Sequence, residues 1–147
     1  MSQQYTQAIK ILCHELNLTL SGNIDAIVSF KVGEQECHIT EHPAGRLLMF
    51  SNLGELTSDN AKPLLEIGMF SQEEKKPVVG FDSNSNNVIL WNHQSLIQAD
   101  RHSLYQQLDL LSQYYDQVQS DLQNTNSLLV EPEANEKSNF SPAAFRV

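Results

Sequence analysis

The chain has 147 residues, of which 40% are hydrophobic and 18% charged, and these values are typical of one globular domain with a real core. Nine Lys and Arg against eighteen Asp and Glu give a formal net charge of −9. Such a surface repels phosphate backbones and anionic lipid, so nucleic acids and membrane surfaces are excluded as expected partners. Basic or neutral proteins are the favoured ones.

The N-terminal residues and the cysteines indicate a compartment. Residues 1–5 lack the basic and apolar segments of a signal peptide, and no apolar run approaches the ~20 residues needed to span a membrane. The two cysteines, Cys13 and Cys37, suit a reducing environment with free thiols. We therefore expect a cytoplasmic protein without membrane insertion.

The first seventeen residues carry apolar side chains at intervals of four, three and four, which predicts an amphipathic helix over residues 3–17. The period then changes to two, which predicts strands separated by turns. The three predicted strands are residues 25–32, 36–42 and 46–51. The third is apolar on both faces, because Leu47 and Met49 alternate with Leu48 and Phe50. We expect something to cover its second face.

Residues 62–70 form a short predicted helix with apolar residues on nearly every side. A surface helix normally has one apolar stripe, so we interpret the excess as contact with a second copy of the chain. A helix buried within its own domain is the alternative. The predicted dimer interface consists of Leu64, Leu65, Ile67, Met69, Phe70 and, on the next strand, Val79.

Two more predicted strands, 78–82 and 88–92, precede the longest helix, for which Asp100 is the expected N-cap. Apolar residues of that helix repeat at intervals of four and three as far as Leu122, which indicates packing across a sheet. The order helix, three strands, helix, two strands, helix predicts an α+β domain with a mostly antiparallel sheet.

The composition changes near the end of the long helix. From residue 124 onward Pro, Glu and Asn dominate, and such a segment offers too little apolar area to offset its ordering entropy. We therefore predict one domain over residues 1–123 and a disordered tail over residues 124–147.

Few residues indicate a metal site or a catalytic site. His38 and His42 lie four positions apart on a predicted strand, about 13 Å from each other and too far for one metal ion. Cys13 and Cys37 each precede a histidine, but adjacent side chains diverge, and a nucleophile pair also needs an orienting group. No catalytic or phosphate-binding motif is present. We expect no metal, no cofactor and no enzymatic activity; a small cysteine-dependent enzyme stays an alternative.

The element order and one stretch resemble class I type III secretion chaperones, which are small, acidic, homodimeric bacterial proteins of the Tir-chaperone group. The resemblance covers residues 3–123. It rests on the spacing of the segments 64–70, 79–82 and 88–91 and on the repeat of the long helix. It implies a chaperone that binds the N-terminal segment of a secreted effector, keeps it extended and delivers it to the secretion apparatus. The secretion ATPase is a further candidate partner, and a dimeric adaptor for a folded partner is the alternative function.

The first helix and third strand carry more apolar residues than one core needs, which predicts an interaction site. An extended effector segment could place side chains there and pair with a free sheet edge, and methionine adapts to varied partners. The alternative is that Leu47 and Met49 are covered by a helix or by the dimer interface. The predicted effector-binding residues are Tyr5, Ile9, Ile11, Leu12, Leu47 and Met49.

Overall fold

The structure, a computed structural model, describes residues 2–20, 22–67 and 74–130, with side chains as far as Asn124. Its elements follow the predicted order, and the α+β class is confirmed. They are α1 (Gln3–Glu15), β1 (Ile27–Val32), β2 (Gln35–Glu41), β3 (Arg46–Glu55), α2 (Ala61–Ile67), β4 (Val78–Asp82), β5 (Asn87–Ser95) and α3 (Arg101–Val130).

The five strands form one antiparallel sheet in the order β1-β2-β3-β5-β4. Strand β5 pairs with both β3 and β4, so β4 lies at one edge of the sheet and β1 at the other. In the centre, Leu48 lies opposite His93 and Phe50 opposite Trp91. Directly paired residues of antiparallel strands share a face, so these four side chains lie on the same side of the sheet.

Helices α1 and α3 pack on the other side. Ser2 caps α1 by accepting a hydrogen bond from the Tyr5 amide at 3.1 Å. Asp100 and Ser103 exchange backbone-to-side-chain hydrogen bonds of 2.8 and 2.9 Å at the start of α3, which confirms the predicted N-cap. The core between helices and sheet includes Ile9, Leu12, Cys37, Ile39, Leu47, Met49, Leu90, Leu104 and Leu111.

Buried polar side chains fix α3 on the sheet. The Gln107 side-chain amide donates to the carbonyl oxygens of Leu47 at 3.1 Å and Asn92 at 3.2 Å. The amide of Gln94 donates to Gln107 Oε1 at 2.7 Å, and that of Asn92 donates to the Lys75 carbonyl at 2.9 Å. Because each buried amide has partners, the network adds a geometric constraint to apolar packing.

Three predicted boundaries change. Strand β3 continues to Glu55, four residues beyond its predicted end, and β5 extends to Ser95. The predicted tail begins too early, because α3 continues as a helix to Val130. Polar composition alone does not end a helix whose preceding turns are anchored by packing. Residues 131–147 lie outside the described residues, as does the predicted end of the second helix. No helix in the described ranges is long and apolar enough to cross a membrane.

Candidate functional site

None of the described residues covers the side of the sheet opposite the helices, and an apolar groove of about 550 Å³ lies there. Its floor comes from alternate residues of the two central strands, Leu48 and Phe50 on β3 and Ile89 and Trp91 on β5, each partly exposed. A cleft of this volume, with a mostly apolar lining and a few polar side chains, is typical of a binding site. Nine residues line the groove: His42, Pro43, Arg46, Leu48, Phe50, Asp82, Ile89, Trp91 and His93.

Three contacts shape the floor. Trp91 lies against Gly80 of β4, where an added Cβ would approach the indole Nε1 within 3.3 Å. The Trp91 and His93 rings stack with centroids 5.5 Å apart, and the His38 and Phe50 rings lie 5.1 Å apart. The aromatic surface is therefore held by neighbouring rings and by the absence of a side chain on β4.

A tight turn sets the position of Arg46 at one end of the groove. Gly45 has φ of +86°, a conformation that glycine adopts without steric cost. Its amide donates to the Glu41 carboxylate at 2.8 Å, and its carbonyl oxygen accepts from the Leu96 amide at 2.9 Å. Arg46, the next residue, therefore starts β3 from a fixed point.

Arg46 is the centre of a polar cluster. Its Nε donates to His93 Nδ1 at 3.0 Å, and its Nη2 lies 2.6 Å from Oε1 of Glu74, on the segment before β4. An acceptor Nδ1 carries no proton, so His93 is neutral in this arrangement. Burial, and then the adjacent Arg46 guanidinium, lower the pKa of His93, which favours the same state.

Asp82 lies at the opposite end of the groove. Its carboxylate accepts hydrogen bonds from the Ser85 hydroxyl at 2.7 Å and the Asn84 amide at 3.1 Å, and these bonds lower its pKa. The groove therefore has an apolar floor with a cation at one end and an anion at the other.

Most of the predicted effector-binding residues lie elsewhere, in the core between the sheet and its helices. Tyr5, Ile9, Leu12, Leu47 and Met49 are at most 1% exposed, so that prediction is wrong for these five residues. The reason is the direction of β3: Leu47 and Met49 face the helices, whereas Leu48 and Phe50 face the groove. Ile11 is partly exposed and packs against the edge of the core.

The predicted dimer residues have four different outcomes. Leu64 is buried against Val88 and Val118 of its own chain, so it is corrected to a core residue, whereas Leu65 is exposed. Ile67 and Val79 are partly buried beside the same cluster. Met69 and Phe70 lie outside the described residues.

The structure gives the cysteines a packing role. Both thiols are free and buried, and burial raises the pKa of Cys13 and raises that of Cys37 to about 12. A thiol that stays protonated is a poor nucleophile. Within residues 2–20, 22–67 and 74–130, no three His, Cys, Asp or Glu residues are placed to hold a metal ion.

Comparison with known proteins decides the family. The model of the Tir chaperone protein (CesT) family matches residues 7–119. The chain belongs to this family. Two relatives, each described as YopE regulator, are 38% identical over 128 residues in Yersinia pestis and 40% identical over 129 residues in Yersinia enterocolitica. Each alignment covers 87% of this chain and 95% of the relative.

Solved structures agree with the family assignment. A chain in the ExoT–SpcS complex from Pseudomonas aeruginosa is 34% identical, with a TM-score of 0.70 over 80% of this chain and 98% of that one. A chain in the HopA1–SchA chaperone–effector complex shares the fold at 13% identity, with a TM-score of 0.68 over 80% of this chain and 94% of that one. The resemblance to type III secretion chaperones is thereby confirmed.

The groove of this Tir chaperone family protein was not predicted as a site. Two sequence signals pointed to it. The first is that β3 is apolar on both faces, and one of these faces had no predicted cover. The second signal is the alternation of Ile89 and Trp91 with Val88 and Leu90 on the neighbouring strand. The Arg46–Glu74 pair has no sequence signal, because it joins residues 28 positions apart through the fold.

Proposed function

We propose that this protein is a type III secretion chaperone of the bacterial cytoplasm, without enzymatic activity, which binds the N-terminal segment of a secreted effector and keeps it extended. The observation that supports this most is the uncovered groove, with Leu48, Phe50, Ile89 and Trp91 on its floor. An unfolded segment offers apolar side chains that such a floor can cover.

The four apolar side chains of the floor indicate how much binding free energy the groove contributes. Fully burying one large apolar side chain contributes about 1.5–3 kcal/mol, so completing the burial of four partly exposed ones contributes at most about 6–12 kcal/mol. Association costs on the order of 4–15 kcal/mol. The groove therefore needs additional contacts, which the unpaired backbone of an edge strand, β1 or β4, is suited to supply.

We further propose that the protein acts as a homodimer. Leu65 on α2 has 77% of its surface exposed, and β4 forms a sheet edge nearby. A second copy of the chain that covers Leu65 and the β4 edge would account for the exposure of this leucine and for the unpaired edge of the strand. Two grooves in one dimer would also lengthen the surface available to a single effector segment.

The experiment is co-purification with N-terminal fragments, about 100 residues long, of the effectors secreted by the same bacterium. Calorimetric titration of the fragment that binds then compares wild type with Leu48→Glu. We expect Leu48→Glu to remain folded by circular dichroism and to lose at least tenfold in affinity. The matched control is Ile97→Glu, since Ile97 is 78% exposed outside the groove. Equal affinity of wild type and Leu48→Glu would place the client elsewhere.

A further inference from the structure

The Arg46 cluster places a cation at one end of a groove whose floor is apolar. The Arg46 side chain is 34% exposed and that of Glu74 46% exposed, so their ion pair lies in reach of solvent. Within the described residues, the contacts of Arg46 use Nε and Nη2. Nη1 of the guanidinium is left open for a further acceptor.

The geometry points to a role for this cluster in choosing clients, and the inference rests on the proposed function. We propose that the bound segment carries an Asp or Glu side chain that pairs with Arg46, and that Glu74 holds this position until the client carboxylate displaces it.

The orientation of Arg46 is set before any client binds. His93 accepts from Arg46 and is itself stacked on Trp91 in the floor. The guanidinium is therefore held at a defined place beside the apolar residues. An arginine fork of fixed orientation binds a carboxylate more favourably than a freely moving cation does.

Displacement of Glu74 costs little, because exposed ion pairs contribute little to stability and one carboxylate replaces another. The client also covers the groove and excludes water, which strengthens the new ion pair relative to the old one. A segment without an acidic residue leaves Glu74 in place and gains only apolar contacts. The cluster therefore favours clients that carry an acidic residue over clients that do not.

The opposite end of the groove does not accept the acidic residue of the client. Asp82 lines that end and repels a second carboxylate. The paired positions of the two charges, Ser95 for Arg46 and Asn87 for Asp82, are eight residues apart on β5, or about 26 Å at 3.3 Å per residue. The favoured client is therefore acidic near Arg46 and apolar or basic toward Asp82.

The test selects peptides from a random twelve-residue phage library on the immobilised full chain. Enriched peptides are kept when Leu48→Glu abolishes their binding, and one is synthesised for affinity measurements. We expect the enriched set to combine apolar residues with Asp or Glu. Replacement of that acidic residue by Asn or Gln in the synthetic peptide should weaken binding about tenfold.

Three variants separate client recognition from a structural role. Arg46→Gln should weaken binding about tenfold and Arg46→Lys less, whereas Glu74→Gln should tighten binding about threefold, because the competing carboxylate is gone. Lys10→Gln is the matched control, since Lys10 is exposed on α1, on the other side of the sheet from the groove, and it should change affinity less than twofold.

Three results would overturn the proposal. Apolar peptides that need Leu48 but neither an acidic residue nor Arg46 would leave the proposed function standing and remove Arg46 from it. Equal weakening by Arg46→Gln and Glu74→Gln would show that their pair only supports the fold. Failure to enrich any peptide that depends on Leu48 would overturn the proposed function together with this inference.

Discussion

Leu64 and Leu65 are neighbours on the two-turn helix α2, yet Leu64 is 2% exposed and Leu65 77% exposed. Leu64 packs against Val88 and Val118, which anchors α2 to β5 and α3. Leu65 points away from that cluster. The same short helix therefore supplies one residue to the core and offers another to a partner.

Substitution of this pair distinguishes folding from association. Leu65→Asp should give a folded monomer in light scattering, with an unchanged circular dichroism spectrum. Leu64→Asp places a carboxylate in an apolar cluster and should unfold the protein or lower its melting temperature strongly. A Leu65→Asp protein that stays fully dimeric would contradict the proposed interface.

The two faces of β3 predict opposite stability effects. Met49→Ala removes a fully buried side chain and should lower the free energy of unfolding by about 2–5 kcal/mol in urea titration. Phe50→Ala removes a partly exposed side chain from the groove and should cost clearly less, while weakening client binding. If the two variants were equally destabilised, the assignment of faces would be wrong.

The buried amide network predicts a polar contribution to stability. Gln107→Leu leaves the Leu47 carbonyl and the Gln94 amide without their present partner, so we expect a loss of about 2–4 kcal/mol from unpaired buried groups. Gln113→Leu, at an exposed position on the same helix, is the control and should be nearly neutral. A neutral Gln107→Leu would mean that the apolar replacement compensates for the lost hydrogen bonds.

His93 predicts a dependence of stability on pH. Its pKa is lower in the folded protein than the ordinary value of 6.5, so the unfolded chain binds more protons in the acid range. The stability that neutral His93 contributes is fully present above the ordinary value of 6.5 and is lost as the pH falls below it. When the pH is lowered from about 7.5 to about 5.5, the melting temperature of wild type should fall further than that of His93→Gln. His14→Gln, at an exposed position on α1, is the control and should behave as wild type.

Sequence periodicity predicted which residues form strands and helices because both repeats are local. It did not predict which face of β3 meets the helices, since Leu47, Leu48, Met49 and Phe50 are all apolar. That choice depends on α1 and α3, whose positions are set by contacts far along the chain. The same reason explains the misassigned Leu64, and it explains why the Arg46 cluster was missed.

The uncovered groove has a consequence for handling the protein in solution. An apolar surface of this kind promotes self-association of the protein. A net charge of −9 opposes self-association, because the molecules repel one another. The repulsion vanishes near the isoelectric pH of about 4.8 and is screened by salt. Colloidal stability should therefore be lowest in mildly acidic, salt-rich buffers, and client-free protein should precipitate there before the complex does.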